Sequence, residues 1–131
     1  MIVIDASAMT EFLLETPKGL RVEARLYRDG DDIYAPHLMD LEVLRALRGL
    51  TLKKEIDPDR AEDAIADLLA IHVIRYPHFD LTGRIWALRH NLSVYDAAYV
   101  ALAETLDAVV VTCDAPLGNA PGHSVKVEVI R

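Results

Sequence analysis

The chain has 131 residues, of which 52% are hydrophobic and 27% charged, and this composition is typical of one globular domain spanning residues 1–131. No apolar run approaches the ~20 residues that a bilayer-spanning helix needs, and the N-terminal residues lack the features of a signal peptide. The single cysteine, Cys113, excludes an internal disulfide. We therefore expect a cytoplasmic protein without a membrane partner.

The formal net charge of −7 disfavours nucleic-acid binding, because phosphates attract positive surfaces. Much of the excess lies in residues 55–67, which hold six acids and one base. If four acids elsewhere hold metal ions, they account for four of the seven negative charges and leave a net charge of −3. The charge balance therefore does not exclude a nucleic-acid partner.

Short apolar segments alternate with helical patterns along the chain. Strands are predicted at residues 2–4, 33–35, 72–74, 108–111 and 125–127, the last as an edge strand. Helices are predicted at about 7–15, 18–28, 38–53, 57–70, 78–90 and from residue 93 onward, with a short helix or turn at 115–119. Helical spacing places Leu20, Tyr27, Leu41, Leu44 and Leu69 among the buried residues. The alternation predicts an α/β fold of three layers, with helices flanking a central, mostly parallel sheet of short strands.

Four acids fall near the carboxyl edge of this predicted sheet. Asp5 ends the first strand, and Asp114 follows the strongest one. Glu42 lies one turn into the helix after the second strand, and Asp96 begins the most apolar helix. Each has a simpler interpretation, because Asp5 and Asp114 fit helix N-caps and Glu42 fits a helix surface. Asp96 fits the third position of a capping box begun by Ser93.

Taken together, the four acids predict a metal site. In an open parallel sheet, ligands bind at the carboxyl ends of the strands, so these side chains are expected to converge. Two carboxylates ~4 Å apart repel by ~4 kcal/mol at an effective dielectric of 20, and oxygen-only ligands favour Mg²⁺ or Mn²⁺. Such ions suit phosphodiester hydrolysis, with the hydroxyls of Ser7 and Thr112 supporting the ligands through water.

Four segments of the sequence carry a family resemblance that covers the whole chain. They are VIDAS at residues 3–7, LEVL at 41–44, YDAAYVALA at 95–103 and VTCD at 111–114. Together they resemble a PIN domain and, more narrowly, the VapC toxins of bacterial toxin–antitoxin pairs.

The resemblance implies a Mg²⁺- or Mn²⁺-dependent endoribonuclease. It assigns Asp5, Glu42, Asp96 and Asp114 as catalytic, metal-binding carboxylates and Thr112 as a supporting hydroxyl. It also implies a homodimer and a small antitoxin that wraps the helices and can place a basic side chain near the acids. Some relatives carry one more acid after the last, where this chain has residues 115–117 (APL). We therefore expect one bound ion until the RNA substrate arrives.

Other side chains allow two interpretations each. Arg45 and Arg48, on the helix of Glu42, are possible RNA contacts, as are Lys53 and Lys54. Tyr95 and Tyr99 fit core packing or stacking on a base, and Trp86 fits the core or a dimer surface. The arginines at positions 21, 25 and 28 fit a solvated helix face, and Cys113 fits a small buried filler.

Three alternatives to the nuclease make different demands on these residues. A phosphoryl-transfer enzyme of the haloacid-dehalogenase type needs an aspartate two residues after Asp5, where this chain has Ser7. A receiver domain needs a lysine after the last strong strand, where this chain has Asp114. A non-catalytic PIN-fold protein that acts only by binding a partner stays open.

Overall fold

The computed structural model describes all residues from Met1 to Arg131. Its centre is a sheet of five strands: β1 (Ile2–Ile4), β2 (Ile33–Pro36), β3 (Ile74–Tyr76), β4 (Val109–Thr112) and β5 (Val127–Val129). All neighbouring strands are parallel, in the order β3-β2-β1-β4-β5. Each residue of β1 is 0% exposed, so helices cover both faces of the central strand. The predicted α/β class and parallel sheet are confirmed.

Seven helices surround the sheet. They are α1 (Ala6–Leu13), α2 (Pro17–Tyr27), α3 (Leu38–Leu52), α4 (Pro58–Ala70), α5 (Thr82–Ala87), α6 (Val94–Leu106) and α7 (Ala115–Gly118), with a 3₁₀ turn at Phe79–Leu81. Helix α1 packs with α2, α3 and α4, whereas α6 packs on β1, β2 and β4 with α5 beside it. None of these helices is both long and apolar enough to cross a membrane.

The chain changes direction across the sheet between β1 and β4. From β1 it proceeds outward through β2 to β3, then returns through α6 to place β4 on the other side of β1. In parallel α/β sheets this reversal opens a crevice at the carboxyl ends of the two strands. The fold therefore offers one preferred place for a site, just after Ile4 and Thr112.

Two predicted strands and one helix differ in position. β3 and β5 each begin two residues later than predicted, and every residue in both is only half-buried, as expected of edge strands with a weak hydrophobic signal. The helix predicted at 78–90 is a 3₁₀ turn followed by the shorter α5. Helix α5 ends at Ala87, and the N–H of the next residue, Leu88, donates to the carbonyls of both Arg84 and Ile85 in a tightened last turn.

Several residues predicted to be buried are exposed. Leu41 is 70% exposed and Leu69 is 80% exposed, and Leu20, Tyr27 and Leu44 are also exposed. The buried residues of α3 are instead Met39, Val43 and Leu47. Apolar residues occur on more than one side of these helices, so the neighbouring elements decide which side is buried.

The first turn of α3 is held by a histidine from another part of the chain. The Leu38 N–H donates to His78 Nε2 at 3.0 Å, while the residue at the cap position, His37, makes no side-chain cap bond. Only an unprotonated imidazole nitrogen accepts this bond. Burial and the neighbouring His37 both lower the pKa of His78. Because α3 carries Glu42, the neutral form of His78 supports the helix that positions that carboxylate.

Replacing this histidine is expected to change how stability depends on pH. A lowered pKa means that the unfolded chain binds more protons than the folded one near pH 6, so the free energy of unfolding falls as pH drops below about 6.5. In His78→Gln this component disappears, while the amide oxygen can still cap α3. Denaturant unfolding between about pH 7.5 and 5.5 measures the difference. The control His72→Gln changes an exposed histidine without such a bond and is expected to match the parent; an identical pH slope in all three proteins contradicts the assignment.

Candidate active site

The four acids predicted from the sequence lie together at the carboxyl edge of the sheet. They line one cavity of about 380 Å³. The cavity is lined by Asp5, Ala6, Ser7, Glu42, Asp96, Tyr99, Cys113 and Asp114. The ends of β1 and β4, the second turn of α3 and the first turn of α6 thus bring their carboxylates to one place.

The pairing of β1 with β4 positions the deepest of these acids. Ile4 lies opposite Val111, and the Asp5 N–H donates to the Val111 carbonyl at 3.1 Å. The following residue of β4, Thr112, therefore lies beside Asp5 and donates its hydroxyl proton to Asp5 Oδ2. Asp5 is 5% exposed and Thr112 is 0% exposed. Strand pairing thus fixes a buried carboxylate next to a buried hydroxyl.

Two hydroxyls are oriented so that their protons point at Asp5. Ser7 Oγ donates to Asp5 Oδ1 at 2.7 Å and accepts the Cys113 N–H at 2.9 Å. Thr112 Oγ1 accepts the Asp114 N–H at 2.9 Å. A hydroxyl has one proton, so a backbone donor at its oxygen leaves that proton for the carboxylate. Ser7 and Thr112 therefore contact Asp5 directly, where the sequence suggested support through water.

Asp5 also caps α1, as one interpretation of the sequence held. Its Oδ1 accepts the Ala8 N–H at 2.9 Å. Burial nevertheless raises the pKa of Asp5 to about 6; the bonds from Thr112, Ala8 and Ser7 act in the opposite direction, and the charge of Asp114 adds slightly to the rise. Desolvation therefore outweighs three hydrogen bonds. A carboxylate in this state gains from any additional positive charge brought into the cavity.

Glu42 is tethered by a residue whose sequence pattern fits either packing or stacking. The hydroxyl of Tyr99, which is 2% exposed, donates to Glu42 Oε1 at 2.7 Å. Burial raises the pKa of both groups, and the Glu42 carboxylate raises that of Tyr99 further, so the phenol keeps its proton. Tyr99 lies three residues after Asp96 on α6, on the same helix face, and that spacing is the signal that could have identified it.

The other two acids lack the close side-chain bonds that hold Asp5 and Glu42. Ser93 caps α6 by accepting the Asp96 N–H at 3.1 Å, and its hydroxyl also acts to lower the pKa of the nearby Asp96 carboxylate. Asp114 occupies the cap position of α7, but its side chain makes no cap bond. Burial, and then the charge of Asp114, raises the pKa of Asp96. Both carboxylates are therefore available to a ligand.

The cavity has the donors for a hard divalent cation, although they are not yet arranged as a cage. Its ionisable groups are carboxylates apart from the Tyr99 phenol and the Cys113 thiol, whose pKa burial raises to about 11, and none of the four acids pairs with a lysine or arginine. Oxygen ligands of this kind suit Mg²⁺ or Mn²⁺. No three acidic, histidine or cysteine side chains converge closely enough to hold an ion as they stand. Glu42 is held by Tyr99 and Asp5 by its hydroxyls, so ligation requires rotation of the Asp96 and Asp114 side chains.

The predicted RNA contacts and other singled-out residues have separate surroundings. Arg45 lies on a groove beside the cavity, whereas Arg48 is exposed and lines neither space. Tyr95 is 58% exposed and Trp86 is 62% exposed, so neither belongs to the core. Among the arginines assigned to a solvated face, Arg25 instead binds Glu128 through its Nε and ties α2 to β5.

Comparison with known proteins gives this arrangement its family. A model described as the PIN domain matches residues 2–122. The chain belongs to the PIN-domain family. It is 38% identical over 130 residues to Ribonuclease VapC12 of Mycobacterium tuberculosis, covering 99% of each chain. It is also 38% identical to Ribonuclease VapC1 of the same organism, over 98% of this chain and 97% of that protein. Within the PIN-domain family the chain thus groups with the VapC ribonucleases.

Solved PIN-fold structures share the architecture at low sequence identity. VapC20 from Mycobacterium tuberculosis, described as a sarcin-ricin loop cleaving toxin, matches with a TM-score of 0.64 at 17% identity, over 90% of this chain and 93% of that one. VapBC2 from Rickettsia felis, solved with a DNA fragment of its promoter, matches with a TM-score of 0.66 at 12% identity over 98% of each chain. Membership of this family decides against the dehalogenase and receiver alternatives.

The burial of Asp5 generates a prediction about stability. Because its pKa is raised from 3.8 to about 6, the folded chain binds more protons than the unfolded one in this interval, and stability is lost as pH rises through about 6. We expect Asp5→Asn to be more stable than the parent at pH 8 by up to about 3 kcal/mol, less whatever hydrogen bonding the amide forfeits. The advantage should shrink towards pH 4.

Denaturant unfolding in EDTA at several pH values measures this effect. The control Asp63→Asn alters an exposed acid of α4 and is expected to show no such trend. A constant difference between Asp5→Asn and the parent across the range contradicts the raised pKa.

Proposed function

We propose that this PIN-domain protein is a metal-dependent endoribonuclease, the toxin of a toxin–antitoxin pair. The observation that carries the proposal is the single cavity lined by Asp5, Glu42, Asp96 and Asp114, none of which forms an ion pair with a basic side chain. The names of the relatives, Ribonuclease VapC12 and Ribonuclease VapC1, support RNA as the substrate.

The residues divide into anchored and free ligands. Asp5 is fixed by Ser7, Thr112 and the N-terminus of α1, and Glu42 by Tyr99, whereas the carboxylates of Asp96 and Asp114 are free to turn towards an ion. When bound, Mg²⁺ or Mn²⁺ would lower the pKa of a water molecule and stabilise the charge on the leaving oxygen. A carboxylate not engaged with the ion would accept the proton of that water, and its raised pKa makes Asp96 a stronger base than an ordinary aspartate.

A non-catalytic member of the family that acts only by binding is the second candidate. The presence of all four acids, with Asp5 ionising at a cost to stability, favours the enzyme, since a binding partner gains nothing from a destabilising buried carboxylate. Activity measurements separate the two candidates.

Cleavage of RNA in Mg²⁺ or Mn²⁺ is the first expected result. We expect Asp96→Asn and Asp114→Asn to lower the rate by about 10²–10⁴-fold, because each removes a charged ligand from the ion or the proton acceptor from the water. The measurement is gel analysis of a folded RNA incubated with each purified protein, with EDTA stopping the parent reaction.

The matched control is Asp107→Asn, at the opposite end of α6. Asp107 adopts φ 52°, which asparagine tolerates, and it lies outside the acidic cavity. Calorimetric titration with Mn²⁺ provides a readout independent of catalysis, with weaker binding expected in Asp96→Asn and unchanged binding in Asp107→Asn. Equal cleavage by all variants, or cleavage that survives EDTA, refutes the proposal.

A protein antitoxin is the second component of the proposal. Two of the structural neighbours, VapBC2 from Rickettsia felis and FitAcB from Neisseria gonorrhoeae, have names that combine two components, which supports a protein partner for this chain. FitAcB matches with a TM-score of 0.57. A small cognate partner encoded beside this chain would relieve growth arrest on co-expression. Its basic side chain would supply the positive charge that the cavity lacks.

A homodimer is the third component. Large apolar side chains are exposed on the 3₁₀ turn, α5 and the first turn of α6, which pack on one another: Phe79 at 86%, Trp86 at 62%, Val94 at 54% and Tyr95 at 58%. Apolar patches of this kind mark protein interfaces. We expect light scattering to give a dimer mass for the parent and a monomer mass for Phe79→Glu. Leu69→Glu, on α4, is the control and should remain dimeric; a monomeric parent rules out this component.

A further inference from the structure

A groove extends from the acidic cavity along α3. It has a volume of about 540 Å³ and shares Ala6, Ser7, Glu42 and Cys113 with the cavity, so the two spaces adjoin. Beyond the shared residues its walls carry three basic side chains, Lys18 from the start of α2 and Arg45 and Lys53 from α3. The groove is therefore acidic where it meets the cavity and carries basic side chains beyond it.

These basic side chains differ from most others in the chain because they have no partner. The chain has 14 Lys and Arg residues. Those whose side chains bond an acid or a carbonyl within the chain are Arg21, Arg25, Arg28, Arg60, Arg75, Arg84, Arg89 and Lys126. None of the groove's three cations makes a hydrogen bond or an ion pair with another residue. Three of the six cations without such a bond thus line the groove, and the other three are Arg48, Lys54 and Arg131.

We infer that this groove holds the RNA strand next to the scissile bond, with Lys18, Arg45 and Lys53 each contacting a phosphate. The inference rests on the proposed ribonuclease function and adds the substrate's path. Compared with the contacts predicted from the sequence, it keeps Arg45 and Lys53, adds Lys18, and omits Arg48 and Lys54, which do not line the groove. An extended polyanion fits better than a compact one, because the three cations lie on two different helices.

The remaining charges of the groove are consistent with a phosphate chain. Its acids are Glu42, which belongs to the catalytic cavity, and Glu11. The hydroxyl of Thr16 donates to Glu11 Oε2, so this carboxylate is already hydrogen-bonded. Away from the cavity, three cations therefore face one acid, although the whole chain carries a net charge of −7.

The bottom of the groove is open because its residues are small. Gly49 of α3 lines it beside Ala46, and a Cβ placed on Gly49 would meet no atom within 4 Å. A larger side chain at this position can therefore occupy the groove without displacing its neighbours. This provides a variant that blocks the path without changing any charge.

The salt dependence of RNA binding tests the charges. Fluorescence anisotropy of a labelled, mixed-sequence single-stranded RNA is measured between about 50 and 200 mM salt, in Mg²⁺, with Asp96→Asn as the non-cleaving parent. For single strands, the slope of log K against log salt changes by about 0.7 for each phosphate that the protein no longer neutralises. We expect this change for Lys18→Gln and for Lys53→Gln, and about twice as much for the pair. Arg48→Gln, on the same helix but outside the groove, is the control and should keep the parent slope.

Blocking the groove tests the path. Gly49→Leu is expected to weaken RNA binding at least tenfold while thermal unfolding shows a folded protein. Gly83→Leu, in α5, also has no atom within 4 Å of a new Cβ and should bind like the parent.

The outcomes separate this inference from the ribonuclease proposal. Three results overturn the groove assignment, whether or not the wild-type chain cleaves RNA. They are unchanged salt slopes in both lysine variants, a salt slope reduced equally in Arg48→Gln, and a parent that does not bind the RNA. Variants that bind RNA normally but fail to retain a co-expressed protein partner assign the groove to that partner and also overturn it. If the salt slopes change but the wild-type chain does not cleave RNA, the groove is an RNA-binding site and the ribonuclease proposal is wrong.

Discussion

The burial of one carboxylate at the end of a central strand constrains the rest of this structure. Parallel pairing of β1 with β4 places Asp5 beside Thr112, and both are almost fully shielded from water. A charge in that position needs donors, and the turns after the two strands supply them through Ser7, Thr112 and the Ala8 N–H. The backbone amides of residues 113 and 114 in turn hold the two hydroxyls in place. The local structure after both strands is therefore organised around a single acid.

The hydrogen bonds from these donors do not fully offset the cost of burying the charge of Asp5, and this incomplete compensation is consistent with a functional site. The pKa of Asp5 stands at about 6 although three hydrogen bonds favour its ionised form. A fold selected for stability alone would have an amide or an apolar residue at this position. Functional sites often carry residues that make the protein less stable than a substitution would. A divalent cation would reverse the balance, because its charge outweighs the desolvation that raises the pKa. The carboxylates of Asp96 and Asp114 line the same cavity. A cation bound there would therefore stabilise the folded protein.

The sequence was sufficient to predict where the acids lie but not how they are held. Asp5 and Asp114 follow apolar strands, and the parallel arrangement brings the ends of such strands to one edge, so their proximity follows from topology. The spacing of Tyr99 from Asp96 places both on one face of α6, but no local pattern reveals the bond from Tyr99 to Glu42, 57 positions away. Leu41 and Leu44 show that local spacing also fails to predict which residues of a helix are buried. Their helical spacing suits burial, yet packing against α1 and α4 turns Met39, Val43 and Leu47 inward instead.

The distribution of charge explains how an acidic chain can have a nucleic-acid substrate. Net charge describes the field far from the molecule, whereas a bound strand responds to charges within about a Debye length, or ~8–10 Å at moderate salt. Five of the 14 basic residues pair with acids within the fold, three more bond carbonyl oxygens, and many of the excess acids lie in residues 55–67 on and before α4. The unpartnered Lys18, Arg45 and Lys53 are therefore left to determine the local potential beside the cavity. These cations favour entry of RNA along the groove, while the acids elsewhere lower the overall affinity.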